Sequence, residues 1–182
     1  MKGIVFAKFI EMVEDKFSLE LLDRIIEDAN LPSGGSYTAV GTYDHAEMIQ
    51  LVIQLHARTG IPVADLIRTF GEYMFARLYE MYPQFVTMNE TLFDFLQNVD
   101  KYIHVEVRKL YPDAELPGFQ YEMPSPDTLV MIYRSARPFA DLAEGLINGS
   151  ISHFAEKIDL AREDLSDSSG TVARFTLTKM AS

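Results

Sequence analysis

No cysteine and no tryptophan occur among the 182 residues. The missing thiols exclude disulfides, zinc–thiolate and iron–sulfur centres and a cysteine nucleophile. Basic residues are scarce: 16 Lys and Arg stand against 27 Asp and Glu, a net charge of −11. That balance repels nucleic acid and anionic lipid, so neither is an expected partner. No apolar run approaches the roughly 18 residues that a membrane-spanning helix needs. The opening stretch, MKGIVFAKFIEMVEDK, has a short apolar core interrupted by Lys8 and closed by Glu11, with no small-residue cleavage site. It does not read as a signal peptide, and a cytoplasmic protein is expected. Ser-His-Asp patterns, phosphate-cradling loops and paired acidic sites in a convincing context are also missing, so an enzyme is not expected.

What is present is ample apolar material. With 48% hydrophobic residues, a chain of this length buries about 70% of its unfolded surface without staples. Val5, Phe6, Phe9, Ile10 and Val13 recur at helical spacing and predict a helix over residues 3–16. Leu19, Leu22, Ile25, Ile26 and Ala29 predict a second, ended by the turn-rich LPSGGS. Residues 37–43 read as a loop or short extended stretch. Asp44 and Glu47 form a D-x-x-E capping pattern for a third helix that stops at Gly60. Pro62 suits the first turn of a fourth, with Gly71 in its middle, where glycine costs about 1 kcal/mol against alanine unless close approach requires it. Asn89 is positioned to cap a fifth, with Leu92, Phe93, Leu96, Val99, Ile103, Val107 and Leu110 on one side. After YPDAELPGF the character changes. Residues 127–134 read as a strand, Pro138 opens a helix through Leu142, Leu146 and Ile151, and KIDLARED and TVARFTLTK read as strands joined by a DSSG turn. The expected class is α+β: a helical N-terminal lobe packed on a strand–helix–strand–strand C-terminal lobe.

Four histidines are candidates for chemistry. His45 in a helix's first turn and His56 near a helix end have ordinary explanations, and His153, three residues before Glu156, has only a weak metal spacing. His104 lies on the edge of the fifth helix's apolar stripe, eleven residues after Phe93. Two readings stand. It is a hydrogen-bonded core histidine, or it makes one axial bond to a metal whose other ligands are not protein, as in a heme. The second reading gains from YRSAR, residues 133–137. On a strand, Tyr133, Ser135 and Arg137 share one face. A phenol, a hydroxyl and a forked guanidinium there suit carboxylates such as the two heme propionates.

Together these segments resemble the H-NOX (heme nitric oxide/oxygen-binding) family, stand-alone bacterial type. MKGIVFAKFIEMV is similar to its N-terminal helix and FGEYMF to its fourth. FLQNVDKYIHVEVRKLYPDAELPGF is similar to its axial-histidine helix and following loop, and YRSAR fits its Tyr-x-Ser-x-Arg signature. The resemblance implies one domain over residues 1–182, with an N-terminal lobe near 1–60, a heme-anchoring lobe over 61–182, and heme b (iron protoporphyrin IX) between them. It implies His104 as proximal iron ligand, Tyr133, Ser135 and Arg137 on the propionates, and Pro117 pressing on the porphyrin. Val5, Phe9, Phe75, Leu142 and Leu146 would form an apolar distal wall. Leu142 stands where dioxygen-binding members place a hydrogen-bonding tyrosine.

The expected function is therefore a nitric oxide sensor that also takes carbon monoxide. Nitric oxide would bind ferrous heme, break the bond to His104, shift the lobes and signal to a separate histidine kinase or cyclic-di-GMP enzyme. A dioxygen-binding heme protein and a metal-free interaction module are the alternatives.

Overall fold

Phe6, Phe9, Met12 and Val13 follow the three- and four-residue spacing of one helical face, and all four are buried along α1 (Gly3–Lys16). Ser18 ends the break after it and caps α2 (Leu19–Ala29) by accepting from the Leu21 N–H, a contact worth about 1 kcal/mol. Asp44 caps α3 (His45–Thr59) through the Ala46 N–H. Glu47 does not complete the capping pattern. It turns inward and accepts from Tyr37 Oη at 2.9 Å and from Ser33 Oγ. Gly60, with φ of 73°, closes α3 in the left-handed region that glycine tolerates. Then come α4 (Val63–Met81), the short α5 (Gln84–Thr87) and α6 (Leu92–Asn98). Thr91, not Asn89, caps α6. Asn89 is buried and spends its amide on the Phe85 and Val86 carbonyls.

The computed structural model describes residues 1–166 and 170–180. Asp167, Ser168 and Ser169 of the expected turn lie outside them. The single helix expected from Leu92 to Leu110 is interrupted: a π turn (Val99–Ile103) separates α6 from α7 (His104–Leu110). Four strands complete the described chain, where three were expected: β1 (Gly118–Ser125), β2 (Thr128–Arg134), then α8 (Ala140–Phe154), β3 (Ile158–Asp164) and β4 (Val172–Lys179). The sheet is antiparallel in the order β1-β2-β4-β3. Its inner face presents Leu129, Met131 and Tyr133 in register with Leu177, Phe175 and Ala173, all buried. The α+β class stands, with β1 as the addition.

Two apolar cores result. One gathers α1, α2, α3 and much of α4; the other lies between the sheet, α6 and α8. Helix α4 serves both, giving Phe70, Tyr73 and Met74 to the first and Phe75 to the second. It crosses α8 almost backbone to backbone. A Cβ built on Gly71 would meet the Leu142 carbonyl oxygen at 2.5 Å, so the mid-helix glycine is required by close approach. Beside this crossing Arg162 of β3 donates to Asp141 and Glu144 of α8 at 2.6 and 2.7 Å. Among the described residues no helix is long and apolar enough to cross a membrane.

Candidate functional site

The π turn presents His104. The His104 N–H donates to the Val99 carbonyl, five residues back. Such a bond accommodates one extra residue in a helix and is frequent at functional sites. The His104 ring is only 12% exposed. Its Nδ1 lies 3.1 Å from Asp100 Oδ1. A carboxylate accepts, so Nδ1 carries the proton and Nε2 keeps its lone pair. Burial holds the imidazole below its usual range, against the opposing influence of the Asp100 hydrogen bond. The ring is therefore neutral at pH 7, the form that ligates metals. Nε2 has no protein partner among the described residues.

Phe119 of β1 joins this histidine to the strand that carries Tyr133. Its ring centroid lies 6.1 Å from that of His104 and 5.7 Å from that of Tyr133, its cross-strand partner. His104 and Tyr133 thus lean on one aromatic ring. No described contact links His104 to Phe93, which packs instead under Lys179. Tyr121, two residues along the same face of β1, has a buried hydroxyl with no hydrogen-bond partner among the described residues.

The YRSAR face is only partly a strand. β2 ends at Arg134. Beyond it the Ser135 N–H still pairs with the Thr171 carbonyl, and Ser135 Oγ accepts from the Arg137 N–H at 3.1 Å. Burial raises the Tyr133 phenol above its usual range, with hydrogen bonding to Ser135 opposing. The Arg137 guanidinium pairs with the Glu115 carboxylate and opens on a cleft lined by Tyr43, His45, Glu115 and Ala136. A carboxylate on that fork shows the chemistry the fork accepts.

The expected distal residues divide. Val5 and Leu142 line one tightly closed apolar seam with Met48, Ile67, Phe70 and Phe139. Phe9 is fully buried and meets Phe70 edge-on at 5.2 Å. Leu146 packs against both cores. Phe75 belongs to the second core, against Phe95 and His153. Pro117 is half-buried, directly before β1. Tyr73 of α4 is engaged with α1: its hydroxyl donates to Asp15 Oδ2 at 2.5 Å, with Glu11 Oε1 also within reach at 3.1 Å. His45 lies 3.3 Å from Asp44, and His56 Nδ1 lies 2.7 Å from the Ile61 carbonyl. Those two histidines have local explanations.

The family model described as haem-NO-binding matches residues 2–162. The chain belongs to the H-NOX family. The unliganded Fe(II) H-NOX protein from K. algicida is 39% identical and superposes with a TM-score of 0.93, covering 100% of this chain and 98% of that one. The H-NOX protein from Shewanella woodyi in the Fe(II)CO state is 40% identical, with a TM-score of 0.84 over 99% and 95% of the two chains. The S. oneidensis H-NOX protein in the Fe(II)NO state, 23% identical over the whole of both chains with a TM-score of 0.91, shares the fold. No protein of curated function matches.

The donor set of this H-NOX chain suits a heme. Among the described residues no group of three His, Asp or Glu is placed to hold a bare ion. A heme brings four nitrogens and needs one imidazole, which the unpartnered Nε2 of His104 offers. Asp100, Glu115, Phe119 and Tyr121 were not singled out by the sequence reading. Asp100 alone carried a signal, standing four residues before His104 on a helical pattern.

Proposed function

We propose that this H-NOX domain binds heme b and is a nitric oxide sensor, not an enzyme. When bound, the heme supplies a ferrous iron with an open position for nitric oxide or carbon monoxide. The chain does the rest. His104 Nε2 would hold the iron. Tyr133, Ser135 and Arg137 receive the propionates, with Arg137 exchanging its Glu115 partner for a propionate of the same chemistry. Pro117 presses from the loop before β1. Val5, Phe9, Leu142 and Leu146 would wall the gas side from the first core and Phe75 from the second, keeping water and donors away. A dioxygen ligand would need a hydrogen-bond donor for the negative charge it acquires, and nitric oxide would need one much less, so an apolar wall would favour nitric oxide. Loss of the His104 contact would be the signal, and a shift of the N-terminal lobe, near residues 1–60, against the heme-anchoring remainder would be its form. The receiver is a histidine kinase or a cyclic-di-GMP enzyme in the cytoplasm.

One observation carries this reading: a buried, neutral imidazole whose Nε2 has no protein partner stands one aromatic ring away from Tyr133. The solved H-NOX relatives in Fe(II)CO and Fe(II)NO states support the choice of gases. The test is the absorption spectrum of the heme-reconstituted, reduced protein before and after nitric oxide. The expected change is to the Soret band of a heme that has lost its histidine. A protein that develops no Soret band with hemin, or one that keeps its histidine band at saturating nitric oxide, overturns the reading.

A further inference from the structure

We infer that Asp100 is the positioning residue for His104, clamping the imidazole to the sheet so that Nε2 alone faces the cofactor. The inference rests on His104 being the axial ligand, as proposed above. An imidazole on a helix has two torsions. Burial restricts the first, but a half-turn about the second exchanges Nδ1 with a ring carbon and re-aims Nε2. Asp100 removes that freedom. Its Oδ1 accepts from His104 Nδ1 at 3.1 Å, a bond that a flipped ring forfeits. Its Oδ2 lies 3.5 Å from the Phe119 N–H of β1, a long contact that keeps the acceptor turned to the sheet.

The arrangement depends on the π turn. Asp100 lies within Val99–Ile103, and His104 is the first residue after it. The irregular turn brings both side chains to the β1 side, where the Phe119 ring lies tilted beside the imidazole, 6.1 Å between centroids. The acceptor has a second effect: a hydrogen bond to the far nitrogen makes the near one a stronger donor, and losing such a partner typically costs 10–100-fold in metal affinity or activity. Asp100 therefore sets both the direction of the histidine–iron bond and how readily it breaks.

The test compares reconstituted ferrous wild type with Asp100→Ala, Asp100→Leu and Asp100→Asn. The readout is the iron–histidine stretching frequency by resonance Raman, with heme dissociation measured beside it. Alanine and leucine should lower the frequency and loosen heme by roughly 10–100-fold. Asparagine keeps an oxygen acceptor and should recover much of the frequency. Leucine has the shape of aspartate without the acceptor and gives the answer if the alanine protein does not fold. A wild-type frequency in the acceptor-free proteins overturns the positioning role while leaving axial ligation intact. A wild-type spectrum with no iron–histidine band, or full heme loading in His104→Ala, overturns the axial assignment and this inference with it.

Discussion

Gly145 packs on Arg68 so tightly that a Cβ at position 145 would lie 2.1 Å from the Arg68 carbonyl oxygen. The obstacle is backbone, which cannot rotate away. Gly145→Ala must therefore push α8 off α4, against a gain in helix propensity of about 1 kcal/mol. Overpacking of this kind costs about 1–3 kcal/mol. The expected net effect is a melting temperature lower by several degrees, at about 2–4 °C per kcal/mol for a chain of this size. Thermal unfolding followed by circular dichroism checks it, and a variant that melts at or above wild type shows that the crossing has slack.

His104→Ala should remove the axial bond and leave the apo fold largely intact, because α7 contributes no fully buried residue. The expected outcome is loss of heme during purification, with recovery when free imidazole is supplied. The ratio of Soret to protein absorbance reads both. Wild-type loading without imidazole counts against ligation by His104.

Leu142→Tyr places a phenol among Val5, Phe70 and the other side chains of the apolar seam. On the proposed reading the new donor should slow dioxygen dissociation and leave a persistent oxygenated spectrum in air. Stopped-flow loss of dioxygen measures the effect, and an unchanged rate means that position 142 does not face the bound gas.

Tyr37 provides a test at high pH. Burial is the main cause, and the Glu47 carboxylate a lesser one, of a phenol pKa raised to about 12 from an ordinary 10.0. The neutral phenol is thus favoured in the folded chain. Stability should fall as pH rises above about 10, where the unfolded phenol ionises, and this contribution should be exhausted past about 12, where the folded one does. Tyr37→Phe keeps the stack on Phe6, 4.3 Å between centroids, and removes this slope. Urea melts across that window should show the wild type losing stability relative to Tyr37→Phe as pH rises.

Much of this fold was legible because the helices obey simple periodicity. The predicted limits 3–16 for α1 coincide with those observed because Phe6, Phe9 and Val13 mark the buried face and polar residues mark the other. β1 escaped notice for a physical reason. Phe119 and Tyr121 are its only buried-side aromatics, and Pro124 interrupts the strand's second half, so the alternation is too short to read. The π turn escaped because a single extra residue barely disturbs an apolar pattern that continues on both sides. The candidate site was legible in its motif residues, and its supports were not. Asp100 and Phe119 meet His104 through a turn irregularity and a strand pairing, neither of which local spacing encodes.

The placement of Phe119 ties two parts of the site to one side chain. One benzene ring buttresses both an imidazole from the helical segment and a phenol from the neighbouring strand. Trimming it, or swelling it, disturbs two tenants at once, and repair of either alone leaves the other displaced. A flat ring of similar girth is the replacement that would leave both tenants in place.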